Sequence, residues 1–445
     1  MFKSGFEVME KVSVITFILL LFSFHHIFAQ QPSDTVVQKR AFIIEAEFRP
    51  RTEYRNGYRQ LKPDTARPAF FTDHRSRIYL TYTTHRFLLH TSFQDVRVWG
   101  DQDPQTANGS VQIFETYAES SLSDKISVRI GRQKIIYDNE RLFAQNNWRQ
   151  IGRAHEAVRF MYKSEKLETD LIGAFNQEKG ANERNFETDY SPDFKNYKVL
   201  AASFIKWKAT DKITLITINA TDGFQDDSIK REYHFRFTSG GRVTYTDINH
   251  YLTVAAYYQY GKTPLGQTVK AYYVQPEVKY QFPHNFTFKL GAEIMSGDDA
   301  TKSSSVSHSF DPLYGVNHRF MGSMDYFTRF PGDLNNAGLI NPYLFIFYEL
   351  SKKITLRADS HLFYSQNDFV REETVIPKYL GFENDLLFIF NANKFTELHL
   401  GYSYMLPTQS MQYIKRTGNY RNWQDWAFLM ITFTPELFKW ESTVK

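Results

Sequence analysis

The 445 residues contain no cysteine. That excludes disulfides, a thiol nucleophile, cysteine-ligated zinc and a lipid anchor on an N-terminal cysteine. Long apolar runs are nearly as scarce. One spans Val12 to Phe28, behind Lys11. After it, no run is long enough for a transmembrane helix. Charge of one sign is also lacking: 53 Lys and Arg stand against 49 Asp and Glu, a formal charge of +4. No basic run interleaved with aromatics and no nucleic-acid motif occurs, so no nucleic-acid partner is expected. Catalytic and metal signatures are missing too. There is no H-E-x-x-H, no G-x-S-x-G elbow and no spaced calcium loop. No enzyme activity, cofactor or metal is expected.

Aromatic residues are what the chain has: 40 Phe and 28 Tyr lift the aromatic share to 17%. Yet mean hydropathy is −0.46. A helical membrane protein would be more apolar. A transmembrane β-barrel reconciles both numbers, because alternate strand residues face lipid and a polar lumen, and aromatic girdles mark the interfaces.

The apolar run and the Ala29-Gln30-Gln31-Pro32 that follows it read as a signal peptide over 1–29. A short periplasmic segment is expected over 30–40, the barrel over 41–434 and a C-terminal tail over 435–445. Within the barrel the period is two. Ile44, Ala46 and Phe48 share one face of their strand; Glu45, Glu47, Arg49, Arg51 and Glu53 share the other. Ile78, Leu80 and Tyr82 alternate with Arg75 and Arg77 in the same way. A basic residue on the lipid face costs up to about 2–4 kcal/mol near the midplane. Several such costs rival a whole fold's stability of roughly 5–15 kcal/mol. The charged faces must therefore point inward.

The links alternate as well. Short ones, such as 84–86, 122–125, 164–166 and 209–212, are interleaved with longer polar ones such as 55–69, 137–155, 297–337 and 407–425. Short periplasmic turns and long extracellular loops are the pattern of bacterial outer-membrane barrels. Eight short and nine long links predict an all-β, antiparallel barrel of about 18 strands with both ends periplasmic. Too few residues precede the first strand for a plug domain. An 18-strand lumen is wide enough for an aqueous path.

Specific residues sharpen this. Gly131-Arg132-Gln133, Tyr137-Asp138-Asn139-Glu140-Arg141-Leu142, Asn147-Trp148-Arg149-Gln150-Ile151-Gly152-Arg153 and Ala154-His155-Glu156-Ala157-Val158-Arg159 follow one another. Arg49-Pro50-Arg51-Thr52-Glu53-Tyr54, Ser296-Gly297-Asp298-Asp299 and Phe310-Asp311-Pro312-Leu313-Tyr314-Gly315 accompany them, with His318-Arg319-Phe320 and Met324-Asp325-Tyr326-Phe327. Together they resemble the alginate-export family of outer-membrane barrels over most of the mature chain. The family usually has an aromatic-Asp pair where His155-Glu156 stands. The resemblance implies an outer-membrane barrel of a Gram-negative cell, a basic pore passing a polyuronate outward, and periplasmic export partners.

Segment 129–159 holds seven bases, Arg129, Arg132, Lys134, Arg141, Arg149, Arg153 and Arg159, against Asp138, Glu140 and Glu156. The surplus of four equals the charge of the whole chain. Guanidinium forks suit carboxylates and phosphates. One reading is an anion-selective constriction made by this segment folding inward. The other is a surface loop facing lipopolysaccharide phosphates, or a loop knotted by its own ion pairs. The strand-borne Arg49, Arg51, Arg75, Arg77 and Arg97 join the basic pore candidates. They are matched by Glu45, Glu47, Glu53, Asp95, Glu115 and Glu119, so they also read as a structural zwitterionic wall. Glu383 and Asp385, on one strand face, are weak acid–base or calcium candidates, as are Asp298, Asp299 and Asp311; His318, His361 and His399 show no metal spacing.

The leading expectation is an outer-membrane channel in contact with lipid and lipopolysaccharide, passing anionic solutes such as an acidic polysaccharide. The alternatives are a barrel protease or lipase, and a barrel that binds a partner through its loops.

Overall fold

The computed structural model describes residues 38–105, 110–177, 196–226 and 232–444. The expected signal peptide, 1–29, and residues 30–37 of the segment after it lie outside them. The chain divides into two units, Met1–Lys39 with Ser442–Lys445, and Arg40–Glu441. The second is the barrel.

Among the described residues, 18 long strands form the wall: β1 (Gln38–Asn56), β2 (Ala69–Thr83), β3 (Phe87–Val98), β4 (Gln112–Ser121), β5 (Ile126–Gln133), β6 (His155–Lys163), β7 (Leu167–Phe175), β8 (Val199–Lys208), β9 (Ile213–Gln225), β10 (Tyr233–Thr246), β11 (His250–Lys262), β12 (Thr268–Phe282), β13 (Phe286–Met295), β14 (Leu339–Ser351), β15 (Ile354–Ser365), β16 (Tyr379–Asn393), β17 (Thr396–Pro407) and β18 (Gln424–Phe433). Each pairs antiparallel with the next, and β1 closes on β18 from Phe48↔Phe433 to Asn56↔Asp425. Closure leaves no open edge whose backbone groups would go unpaired in lipid. Eight links of two to four residues alternate with nine of five to 43 residues. By the outer-membrane pattern, the short links mark the periplasmic end.

Period two holds in the side chains. On β11, Ala255, Tyr257 and Gln259 are buried, while Val254, Tyr258 and Tyr260 are exposed on the outer face. The expected C-terminal tail, 435–445, needs correcting. Glu436–Val444 is a further strand on β1, with the Ala46 amide donating to the Pro435 carbonyl (3.0 Å) and the Phe42 and Phe438 rings 6.4 Å apart. Pro435 offers no N–H, so a break in the ladder falls there.

The hydrophobic core sits inside the barrel. Leu61, Phe143, Met321, Phe327, Leu334, Met411 and Trp426 are all fully buried. They come from links 57–68, 134–154, 296–338 and 408–423, and from β18. The lumen is thus filled by the barrel's own long links.

Candidate functional site

Two long links meet inside the wall. Phe143 and Tyr314 form a short parallel bridge. Around it Tyr314 N–H donates to the Leu142 carbonyl (3.0 Å), Ala144 N–H to Tyr314 (3.1 Å) and Val316 N–H to Glu140 (3.1 Å). Side chains then lock the pair. Fully buried Arg141 pairs with fully buried Glu293 of β13 (2.7 Å) and donates to the Val316 carbonyl (3.0 Å) and Asn317 Oδ1 (2.8 Å). Arg242 of β10 holds Asp138 (2.7 Å), and Arg236 holds Asp222 (2.6 Å) and Asp311 (2.7 Å). Backbone groups this far from water must find such partners.

The wall of β1–β3 grips 147–151 by its carbonyls. Arg49 donates to the Asn147 carbonyl (2.8 Å) and Gln150 Oε1 (3.1 Å), and Arg51 to the Trp148 carbonyl (2.8 Å). Arg75 donates to Asn147 Oδ1 (2.9 Å) and the Gln150 carbonyl (3.3 Å), and its Nε to Glu47 (2.7 Å). Arg77 reaches the Ile151 carbonyl (3.3 Å) and lies over the Phe114 ring, 3.6 Å from its centroid. Five donors in a rigid fork let one arginine serve several acceptors.

The wall at β16 grips the amides of 323–324. Glu383 Oε1 accepts Met324 N–H (2.8 Å) and Asp385 Oδ2 accepts Ser323 N–H (3.2 Å). Gly322 permits this contact. Its φ is +80°, and a Cβ there would stand 2.4 Å from Glu383 Oε1.

The two inward links meet at Trp148, and link 57–68 joins them at Asp325. The Trp148 ring stacks on His318 (4.2 Å, 8°), and the Arg51 guanidinium lies 4.3 Å from its centroid. His318 Nδ1 bonds buried Asp325 (2.6 Å), which also receives Tyr58 and Arg59 (3.2 Å). Burial pushes the Asp325 carboxyl up, but His318, Tyr58 and Arg59 more than offset that and leave it below the ordinary aspartate value. Burial and the neighbouring Arg149 pull Arg153 below the usual arginine range.

The basic candidates therefore separate into three groups. Arg49, Arg51, Arg75, Arg77, Arg129 and Arg159 are on inner faces; Arg129 pairs with Glu119 (2.6 Å) and Arg159 with Asp170 (2.9 Å). Arg141, Arg149 and Arg153 lie on the inward link. Arg141 is spent on Glu293, Arg153 on the Tyr314 and Gly315 carbonyls, while Arg149 is exposed and, among the described residues, makes no ion pair. Arg97 and Arg132 need correcting, because they point outward. Arg97 shares the face of Phe93 and pairs with Asp95 (2.6 Å); Arg132 shares the face of Ile130 and pairs with Glu156 (2.6 Å). Charge type had suggested the pore, but strand parity places both on the other side.

Sequence reasoning missed Arg236, Arg242 and Glu293, whose partners are 14 to 152 residues away along the chain. The loop acids are also spent: Asp299 pairs with Lys302 (2.8 Å) and Asp311 with Arg236 (2.7 Å). Among the described residues no group of three or more His, Asp or Glu is arranged for a metal ion.

Among the described residues, cavities lie beside the inward links, two of them prominent. The larger, about 760 Å³, opens among the short-turn ends of β4–β9 with Tyr137 on its floor. Its lining is balanced: Lys125, Arg129, Arg159, Lys163 and Lys206 face Glu119, Asp124, Asp138, Glu168 and Asp170. The smaller, about 260 Å³, lies against Trp148 and His318; Arg49, Arg319 and Arg357 line it against Asp359 and Asp385.

Among curated proteins, none matches the chain in sequence. Solved structures share its architecture. Acinetobacter baumannii OccAB4 matches at 11% identity and TM-score 0.59, covering 92% of this chain and 100% of that one. Pseudomonas aeruginosa OpdO matches at 11% and 0.60, covering 89% and 98%. Pseudomonas aeruginosa OpdK, solved with vanillate, matches at 9% and 0.56, covering 89% and 99%. At these identities the likeness carries the fold. The model of the alginate export family matches residues 42–412, most of the chain. A closed 18-strand barrel with that match is an outer-membrane channel, and the chain belongs to the alginate export family.

Proposed function

We propose that the channel passes anionic solutes, an acidic polysaccharide such as alginate among them, along the smaller cavity. The observation that carries this reading is the lining of that cavity, where three arginines meet two aspartates beside the inward link. The larger vestibule is charge-balanced and sets no preference. In a narrow, partly dehydrated passage, a local surplus of cations concentrates anions and repels cations. Family membership and the vanillate in OpdK, a carboxylate, are consistent with it. The test is single-channel recording in planar bilayers under a KCl gradient. An anion-favouring reversal potential is expected, with block by oligouronates. A cation-favouring or unselective open channel would overturn the reading.

A further inference from the structure

The outer face of the wall carries its own pattern at β10–β13. An apolar band with Leu252, Val254, Val278 and Leu290 exposed lies between two aromatic clusters. At the short-turn end Tyr280, Phe282, Phe286 and Phe288 pack with ring centroids 4.5–6.0 Å apart. At the long-link end Phe237 stacks on Tyr260 (5.2 Å, 14°) beside Tyr258 (6.2 Å). Such girdles mark the two membrane interfaces.

Lys262 and Lys270 stand at and just beyond the long-link girdle. Lys270 is opposite Tyr260 in the ladder and Lys262 opposite Thr268, so the lysines are diagonal neighbours. Diagonal positions are about 7–8 Å apart, a span that one phosphate between two ammonium groups can bridge. Both side chains are exposed. Lys262 Nζ is steadied by Thr268 Oγ1 (3.1 Å), and exposed His308 rests its Nδ1 on the Lys270 carbonyl (2.9 Å). Asp298, bordering His308, is turned to that residue's own amide (2.5 Å).

Several other bases of the rim and outer face are neutralised. Arg97 has Asp95, Arg132 has Glu156, Lys302 has Asp299 (2.8 Å) and Lys378 has Asp368 (3.3 Å). Among the described residues, no ion pair involves Lys262 or Lys270. Two uncompensated lysines at headgroup level, continuous with the lipid-facing band, call for an anion supplied by the membrane. We propose that the β11–β12 rim docks the phosphate of an outer-leaflet lipid of the lipid A type.

The test uses the whole protein in nanodiscs and native mass spectrometry. Retention of diphosphorylated lipid A is compared with that of its dephosphorylated form and of inorganic phosphate. Each lysine near a charged bilayer surface contributes about 5-fold in affinity, so Lys262→Gln with Lys270→Gln is expected to lower retention by about 25-fold. Lys302→Gln, at an already paired site, is expected to change nothing. Heat-modifiable gel mobility confirms that each variant is folded. Unchanged retention in the double variant overturns the proposal. So does equal retention of the dephosphorylated lipid. Binding of inorganic phosphate as strong as that of the lipid would make the patch a general anion site and overturn the lipid assignment.

Discussion

The barrel holds its two inward links by opposite chemistry. On the β1–β3 side, cationic forks hold carbonyls: four arginines share acceptors over 147–151, and several of them reach more than one. On the β16 side, two carboxylates hold amides: Glu383 takes Met324 and Asp385 takes Ser323. The other oxygens, Glu383 Oε2 and Asp385 Oδ1, are buried without a protein hydrogen-bond partner. A guanidinium spreads five donors over several groups, whereas a carboxylate here spends one oxygen on one amide. The cationic side is therefore redundant in contacts but intolerant of losing a charge. The anionic side has few contacts and is expected to tolerate neutralisation.

The largest effect is expected at Arg75. Its side chain is buried against Glu47 and three groups of the inward link. Arg75→Leu leaves Glu47 short of its cation and carbonyls short of donors, a loss of about 3–5 kcal/mol for a broken buried pair. Heat-modifiable mobility of outer-membrane fractions should show little folded barrel. Normal folding would mean that neighbouring arginines replace it and that the clamp is not cooperative. The outer face offers the next step down. Leu80→Arg places a base in lipid at a cost of about 2–4 kcal/mol. Thr81→Arg, on the inner face, should assemble far better; equal assembly of the two would invalidate the assignment of faces.

The junction between the two sides responds to acid. The folded Asp325 carboxyl sits below its ordinary value, so its contribution is present above the unfolded value of about 3.9 and is lost as pH falls through the folded one. Hydrogen exchange of amides 318–325 should stay slow from neutral pH down to about 4 and accelerate only below that. Acceleration already at pH 6 would show that another group controls the junction. The anionic clamp should feel neutralisation least. Glu383→Gln keeps an oxygen for Met324 N–H and offers its amide to Asp385, so a change under about 1 kcal/mol, in either direction, is expected. A collapse of folding would show that Glu383 carries a charge the clamp requires.

Much of the wall was legible because lipid imposes a strict alternation. Ile44, Ala46, Phe48 and Arg75, Arg77 sort to their faces by parity alone, and the short links 84–86 and 122–125 follow. Arg97 and Arg132 were misplaced by weighing charge above the same parity, although Phe93 and Ile130 beside them marked an outward face. The interior was far less legible. Counting charges over 129–159 gives a surplus of four, but its neutralisers are elsewhere: Glu115 for Lys134, Glu119 for Arg129, Asp170 for Arg159 and Glu293 for Arg141. No local pattern announces a pair such as Arg141–Glu293, because only the inward folding of link 134–154 brings Arg141 to Glu293 of β13.

That redistribution leaves one cation of the inward link for solutes, and it yields the smallest expected structural effect with a clear functional one. Arg149 is exposed and makes no ion pair among the described residues, and only its carbonyl is used, by Arg49 and Arg75. Arg149→Glu should therefore cost at most about 0.5 kcal/mol, as exposed substitutions do. It nevertheless changes the local charge by two units beside Trp148, which lines the smaller cavity. The reversal potential in a KCl gradient should move toward cations, and the shift should shrink as salt rises, since the Debye length is already only about 8 Å at 0.15 M. Arg141→Glu is the contrasting variant: its charge is enclosed with Glu293, so it should impair folding rather than tune selectivity. If Arg149→Glu folds and conducts with an unchanged reversal potential, the permeating ions do not pass this side chain. The cationic clamp would then be structural throughout, and any preference for anions would have to come from Arg319 and Arg357 in the cavity wall.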